Sequence, residues 1–132
     1  MGIDYLLDTH ILLWWLFDAP ELSDRTRKAI ANRSNTIWIS AATAWEIATK
    51  YRIRKLPEAT EIVANYPQLL QQAGFVELTI KTEHALYAGQ MAIDHRDPFD
   101  RMLLAQAEIE GMVLISADSI ILREATVATL PN

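Results

Sequence analysis

The chain is short, mildly acidic and of ordinary globular composition. Its 132 residues are 51% hydrophobic and 22% charged, a composition unlike that of chains that stay disordered and sufficient for a buried core. The absence of cysteine excludes disulfides, thiolate metal ligands and a cysteine nucleophile. A formal net charge of −5 argues against the broad basic surface of a typical nucleic-acid-binding protein. We expect one domain over residues 1–132, in which oxygen or histidine would hold any metal.

Short apolar runs alternate with longer helical patterns along the chain. The runs that predict strands cover residues 3–7, 36–39, 75–80 and 112–115. Strands that alternate with helices form a parallel sheet covered on both faces, and nearly continuous apolar strands indicate burial on both sides. We therefore predict an α/β fold with a central parallel sheet of four to five strands, the fifth being an edge strand at residues 126–130.

Residues with known capping preferences mark the predicted helix boundaries. Helical patterns begin after Ser23, Ser40, Thr82 and Asp97. Pro57 is predicted to end the helix that follows the second strand. Gly74 and Gly111 precede predicted strands, where the C-terminal cap of a helix belongs. We therefore expect helices over residues 60–73 and 98–110.

Acidic residues stand where predicted strands end and helices begin. Asp8 directly follows the first strand, Asp118 follows the fourth, and Asp97 and Asp100 open the helix between them. In an open parallel sheet the carboxyl ends of the strands share one edge, so these acids are expected to converge there. Glu46 lies ~9 Å along the helix after the second strand, and helical side chains lean toward the helix N-terminus. Its carboxylate is therefore expected at the same edge.

Each of these acids also has an ordinary structural interpretation. An aspartate after a strand is usually a helix cap, and Glu46 can pair with Lys50 four residues on. Several uncompensated carboxylates at one edge would nevertheless repel one another unless a cation were bound among them. Oxygen ligands suit Mg²⁺ or Mn²⁺, which activate water at phosphate esters. The set predicts hydrolysis of a nucleic-acid backbone, and phosphomonoester hydrolysis would use similar groups.

The two acids of Asp97-Pro98-Phe99-Asp100 are expected to differ in role. Proline suits the first helical position, which makes Asp97 the N-cap and leaves the side chain of Asp100 free in the first turn. We therefore assign Asp100 to the metal and Asp97 to the cap. From the cap, Asp97 can still contact a water or the surroundings of the metal.

Histidines, an arginine and a basic segment are further candidates for binding roles. The histidines are not spaced as metal ligands, although His10 stands two residues from Asp8. We expect Arg101 in a salt bridge. The basic segment after Glu46 is either an RNA-backbone contact or a solvated helix end, and it contains Lys50, Arg52, Arg54 and Lys55.

Four sequence segments together match a known family. They are Tyr5-Leu6-Leu7-Asp8-Thr9-His10, Trp45-Glu46-Ile47-Ala48, His95-Arg96-Asp97-Pro98-Phe99-Asp100-Arg101-Met102-Leu103-Leu104-Ala105-Gln106-Ala107 and Leu114-Ile115-Ser116-Ala117-Asp118. In this order the segments resemble VapC-type PIN domains, the toxins of VapBC toxin–antitoxin pairs. The resemblance covers nearly the whole chain and implies a PIN-like three-layer α/β/α sandwich. It also implies Mg²⁺-dependent endoribonuclease activity, with a metal site lined by Asp8, Glu46, Asp100 and Asp118.

The resemblance also implies partners and supporting residues. The partners would be an RNA substrate and a small VapB-like antitoxin that occupies the groove and silences the enzyme. Separately from the resemblance, we expect a homodimer. Mn²⁺ is an alternative to Mg²⁺ as cofactor. Two residues before the last acid the family often has threonine, and this chain has Ser116, which keeps a hydroxyl. We expect Thr9, Ser116 and Asp97 around the metal ligands.

The aromatic residues and the apolar run near the N-terminus suggest further expectations. We expect Trp14, Trp15, Trp38 and Trp45 in the core. One ring of the adjacent pair Trp14 and Trp15 must face another direction, where it can serve a dimer or antitoxin contact. The apolar run at 11–17 is too short to span a bilayer and lacks the basic flank of a signal peptide. We therefore expect a cytoplasmic protein without membrane contact.

Other functional classes fit the sequence less well. A phosphoacceptor receiver domain needs an aspartate after the third strand, where Thr79, Ile80 and Lys81 stand. A haloacid-dehalogenase phosphatase needs one two residues after Asp8, where His10 stands. The alternative from another class is a catalytically inactive PIN-like module that binds RNA or protein. Such a site usually lacks a ligand, whereas all the candidate acids are present here. A DNA substrate stays open, because no residue reads a ribose hydroxyl.

Overall fold

A five-stranded parallel sheet forms the centre of the molecule in the computed structural model, which describes residues 2–132. Its strands are β1 (Asp4–Leu7), β2 (Thr36–Ser40), β3 (Val76–Leu78), β4 (Val113–Ser116) and β5 (Thr129–Pro131). Neighbouring strands are parallel in the order β3-β2-β1-β4-β5. The predicted α/β fold is confirmed, and β5 is the predicted edge strand.

Helices cover both faces of the sheet. They are α1 (Thr9–Leu16), α2 (Asp24–Ala31), α3 (Ala41–Arg52), α4 (Thr60–Ala64), α5 (Tyr66–Ala73), α6 (Thr82–Gln90), α7 (Pro98–Glu110) and α8 (Ser119–Glu124). Adjacent strand residues point to opposite faces. Leu7 accordingly packs in a cluster with Ile11 and Ile47, whereas Leu6 packs in a second cluster with Leu103. The three-layer arrangement follows from these two cores.

The register of the sheet decides which residues meet at its carboxyl edge. Leu7 pairs with Ile115, and the amide of Asp8 donates to the carbonyl of Ile115 at 3.0 Å. Asp8 therefore lies beside Ser116, the last residue of β4. The chain builds outward from β1 in one direction through β2 and β3, and in the other through β4 and β5. Open α/β sheets bind ligands at such a switch point, outside the carboxyl ends of the strands.

Some element boundaries differ from those predicted. The helix expected over 60–73 is divided at Asn65, because Pro67 lacks the amide hydrogen that would continue the bonding of α4. α3 ends at Arg52, before the stop predicted at Pro57, in a turn where Arg54 adopts a left-handed φ of 62°. β3 is shorter than the predicted run at 75–80.

Across residues 2–132 no helix is long and apolar enough to cross a membrane.

Candidate metal centre

A small acidic cavity lies at the carboxyl edge of the sheet. Its volume is about 80 Å³, and it is lined by Asp8, Thr9, His10, Glu46, Lys50, Asp97, Asp100, Asp118 and Ile121. All the acids singled out in the sequence thus line the same cavity. They reach it from four elements that are far apart in the chain, as the convergence of strand ends requires.

Asp8 is buried and accepts hydrogen bonds at both carboxylate oxygens. The residue is 3% exposed and caps α1, since its Oδ1 accepts from the Ile11 amide at 2.9 Å. Its Oδ2 accepts a hydrogen bond from the hydroxyl of Ser116, and that hydroxyl oxygen accepts from the Asp118 amide at 3.0 Å. Burial raises the pKa of Asp8 above its ordinary value, against the hydrogen bonds from Ser116 and Ile11. A neighbouring cation would therefore stabilise the charged form of this carboxyl.

Glu46 is held from both sides. It is 3% exposed on α3, and the hydroxyl of Thr9 donates to its Oε1 at 2.5 Å. Its Oε2 pairs with the ammonium of Lys50, one helical turn later. Burial acts to lower the pKa of Lys50, but its hydrogen bond to Glu46 and the nearby negative charges outweigh burial and raise it. Lys50 therefore brings a stable positive charge to the wall of the cavity.

The start of α7 separates the roles of two neighbouring acids. Asp97 is the N-cap: its Oδ1 accepts from the amides of Phe99 at 2.8 Å and Asp100 at 3.2 Å. Asp100 takes no part in the cap, and its Oδ2 bonds the Nε2 of His95 at 2.7 Å. Burial raises the pKa of Asp100 to about 6; the bond with His95 opposes this, and the charges of Asp97 and Glu46 add to it.

Asp118 combines a cap with a place in the cavity wall. Its Oδ1 accepts from the amides of Ile120 at 2.8 Å and Ile121 at 3.1 Å, which caps α8. Asp8 and Asp97 likewise cap helices while lining the cavity. A carboxylate has lone pairs for several partners, so capping leaves acceptor capacity for a cation. The cap interpretation and the site interpretation are therefore compatible for all three.

The sequence did not reveal that His95 is the partner of Asp100. The histidine stands five residues before this aspartate in a segment without regular secondary structure, so no periodic pattern connects them. His10 also lines the cavity, with its ring centroid 6.1 Å from that of Trp14. The signal available in the sequence was the proximity of each histidine to an acid of the set.

Two expectations about large side chains are wrong. Trp45 is 62% exposed, because α3 turns Ala42, Glu46 and Ile47 inward and leaves Trp45 on the other side. Its ring packs edge-on against Phe99, with centroids 4.8 Å apart. Trp14, Trp15 and Trp38 are partly buried and contact the two apolar clusters. The second error concerns Arg101, which joins no salt bridge within residues 2–132 and donates instead to main-chain carbonyls.

A different cluster of ligand-type groups lies ~15 Å along α7 from Asp100, at 1.5 Å per residue. The ligand atoms of Glu83, His84 and Glu110 come within 4.8 Å of one another. His84 is fully buried and uses both ring nitrogens, since Nδ1 accepts from the Lys81 amide at 3.0 Å and Nε2 bonds Glu110 at 2.8 Å. Within the described part of the chain, no three acids of the cavity stand this close.

Comparisons with known proteins identify both family and fold. The family model described as PIN domain matches residues 5–126. Ribonuclease VapC16 of Mycobacterium tuberculosis is 32% identical over 69 residues, which are 52% of this chain and 49% of that protein. The match therefore spans about half the length of this relative.

Solved structures resemble the chain over nearly its full length. VapBC2 from Rickettsia felis, bound to a DNA fragment from its promoter, has a TM-score of 0.68 with 16% identity, over 98% of both chains. DNA-bound VapBC from Salmonella typhimurium has a TM-score of 0.67 with 17% identity, again over 98% of both. At these identities the likeness shows the fold.

Proposed function

Because the chain belongs to the PIN domain family, we propose that it is a metal-dependent ribonuclease and the toxin of a toxin–antitoxin pair. The observation that carries the proposal is the cavity where Asp8, Glu46, Asp100 and Asp118 converge. The similar protein from Mycobacterium tuberculosis is a ribonuclease by name, and the similar folds come from VapBC assemblies. Residues 1–132 would form a single PIN domain. The protein would act on RNA in the cytoplasm.

The donor set fits a hard divalent cation. The acids offer oxygen atoms only, as Mg²⁺ and Mn²⁺ prefer, and the cavity of about 80 Å³ has room for a cation that keeps some of its water. Burial raises the pKa of Asp8 and of Asp100, so each gains from a positive neighbour. Asp8 and Asp100 would hold Mg²⁺, or Mn²⁺, while Glu46 and Asp118 complete its surroundings. When bound, the cation supplies an activated water and neutralises charge at a phosphodiester.

The chain's own residues fix the positions of these ligands. The hydroxyls of Ser116 and Thr9 hold Asp8 and Glu46, and the ring of His95 holds Asp100. Hydrogen bonds of this kind orient metal ligands and tune their basicity. The ammonium of Lys50 lies in the cavity wall, where it would attract a phosphate group. Binding and orientation of the scissile phosphate would thus depend on charges placed before RNA arrives.

A basic segment at the end of α3 offers a route for the RNA backbone. Arg52, Arg54 and Lys55 are exposed there, two to five residues beyond Lys50 in the cavity wall. Phosphate contacts of this type make binding depend on salt. Replacing Arg52 and Arg54 with alanine should weaken RNA binding and flatten the dependence of affinity on salt concentration. Unchanged binding by this double variant would leave the segment as a solvated helix end.

The proposal is tested by incubating the purified chain with single-stranded and structured RNA, and with DNA of the same sequence, in Mg²⁺ or in EDTA. Cleavage should require the metal and should be lost in Asp8→Asn and Asp100→Asn. Asp24→Asn, the same change at an exposed carboxylate on α2, is the matched control and should cut normally. Circular dichroism checks that each variant folds. RNA binding without cleavage in any metal would support the inactive PIN-like module, and cleavage of DNA alone would change the substrate.

We also propose a small VapB-like antitoxin as the protein partner. The support is the fold, since the solved structures that resemble this chain contain VapBC pairs. A short protein encoded beside this one should bind the chain and suppress its RNA cleavage when the two are mixed. A neighbouring protein that binds without reducing cleavage would contradict the inhibitory role.

An exposed apolar region is the proposed contact of a homodimer. Trp45 and Ile80, 62% and 39% exposed, line a cavity of about 210 Å³ together with Phe99 and Met102. Apolar surfaces of this kind commonly mark protein–protein contacts. Sedimentation equilibrium should show a dimer that Trp45→Glu converts to a monomer. A wild-type monomer at high concentration would exclude this contact.

A further inference from the structure

The guanidinium of Arg101 binds the main chain of the segment that precedes it. Nε donates to the carbonyl of Ala88 at 2.8 Å, Nη1 to those of Ile93 at 3.2 Å and His95 at 2.9 Å, and Nη2 to those of Met91 at 2.8 Å and Gly89 at 3.5 Å. Arginine has five N–H donors, so these contacts use its full capacity. Within residues 2–132 it forms no salt bridge with a carboxylate.

The segment that Arg101 contacts forms few main-chain hydrogen bonds of its own, although Met91 and Ile93 pack against the second apolar cluster. Residues 91–97 join α6 to α7 without helix or strand. In this described stretch, the amides of residues 92–96 donate to no main-chain carbonyl. Ala88 and Gly89 belong to the last turn of α6, where carbonyls have no partner within the helix. Arg101 therefore binds the free end of α6 and the connecting segment together.

This connecting segment carries the groups that surround Asp100. His95 lies within it and bonds the carboxylate of Asp100 at 2.7 Å. Asp97 ends it and caps the helix whose first turn contains Asp100. Arg101 itself is not among the residues that line the acidic cavity. The segment that places His95 and Asp97 therefore connects its side chain to the cavity.

We propose that Arg101 is a positioning residue of the metal centre. By binding the carbonyls of Met91, Ile93 and His95 it fixes the segment that sets His95 against Asp100. The inference rests on the proposed metal-dependent function and adds a residue that contacts neither cation nor RNA. Lysine cannot replace it, because one ammonium cannot reach acceptors that a planar guanidinium binds on three nitrogens.

The test compares Arg101→Lys with wild type by two measurements besides RNA cleavage. Mn²⁺ affinity, measured by electron paramagnetic resonance, should fall about 10- to 100-fold, as for other groups that orient metal ligands. Hydrogen exchange of the amides at 91–97 should become faster. Saturating Mn²⁺ should restore part of the cleavage rate. Arg101→Gln, which keeps two donors, replaces the lysine variant if that variant does not fold.

Arg27→Lys is the matched control. Arg27 also donates to a main-chain carbonyl, that of Ala19 at 2.5 Å, and pairs with Asp18 at 2.7 Å, beyond the end of α1 that is remote from Asp8. Its replacement should leave Mn²⁺ affinity and exchange at 91–97 unchanged. The double variant of Arg101→Lys and His95→Gln should lose no more affinity than the single variant that binds Mn²⁺ less tightly, since both changes disturb the same contact, that of His95 with Asp100.

Two outcomes overturn the proposal separately from the function. If Arg101→Lys binds Mn²⁺ as wild type does, the positioning role is wrong, whether or not exchange at 91–97 becomes faster. If both single variants lose affinity and their effects add in the double variant, Arg101 does not act through His95. If wild type itself neither binds Mn²⁺ nor cuts RNA, the proposed function fails and the positioning role fails with it.

Discussion

Four of the five acids that line the cavity also contribute to the local fold. Asp8, Asp97 and Asp118 cap helices, and Glu46 pairs with Lys50. The sequence could place these acids because the carboxyl ends of parallel strands, and the helix starts that follow them, share one edge of the sheet. It could not identify the partner of Asp100, because the position of His95 depends on the conformation of residues 91–97. In that conformation the main-chain carbonyls of the segment accept hydrogen bonds from Arg101, contacts that no periodic pattern in the sequence indicates.

Thr9 offers a test of ligand orientation at a single residue. Thr9→Val removes the hydroxyl that donates to Glu46 at 2.5 Å and keeps the buried shape. The rate of RNA cleavage should fall about tenfold or more, because a group that orients a ligand is lost. Thr9→Ser keeps the hydroxyl and should keep most of the activity. Equal rates for the valine variant and wild type would show that Glu46 needs no such support.

The N-terminus of α7 is the element on which the assignment of Asp97 and Asp100 rests. Asparagine caps helices about as well as aspartate, whereas alanine costs about 1 kcal/mol. Asp97→Asn should therefore keep both the unfolding free energy and most of the cleavage rate, while Asp97→Ala should lose stability. Urea unfolding and RNA cleavage measure the two effects. An asparagine variant as inactive as Asp100→Asn would make Asp97 a metal ligand instead of a cap.

Element types were easier to predict than their ends. The helix at 98–110 was predicted with its limits, because Asp97, Pro98 and Gly111 each have a specific conformational role there. The division at Asn65 was missed, because the apolar spacing continues across Pro67. Trp45 was placed in the core because tryptophan is usually buried, yet helical spacing assigns the inward face of α3 to Glu46 and Ile47. Side-chain size alone was therefore a poor guide.

At the level of the whole molecule, the sequence predicted the three-layer parallel architecture but not the strand order. Alternation of strands and helices requires a parallel sheet, and nearly continuous apolar strands require cover on both faces. The order β3-β2-β1-β4-β5 depends on long-range packing. Its switch point at β1 and β4 explains why Asp8 and Asp118 meet.

Stability of the metal-free protein should depend on pH through the buried acids. Burial raises the pKa of Asp100 from 3.8 to about 6, so the folded state holds this proton more tightly than the unfolded chain. Its stabilising contribution is complete below about pH 4 and is lost as pH rises to about 6. The melting temperature in EDTA should therefore fall less in Asp100→Asn than in wild type between about pH 4 and pH 7. Equal decreases in the two proteins would argue against a raised pKa.

The most direct test of the metal centre is a titration of wild type and Asp100→Asn with Mn²⁺ at neutral pH. Isothermal calorimetry or electron paramagnetic resonance measures the binding. We predict saturable binding to wild type and a loss of at least about tenfold in affinity in the variant, since a ligand and its charge are removed. Asp24→Asn should bind as wild type does. Wild type that binds no Mn²⁺, or an Asp100→Asn variant that binds it equally well, would contradict a metal centre at this edge of the sheet.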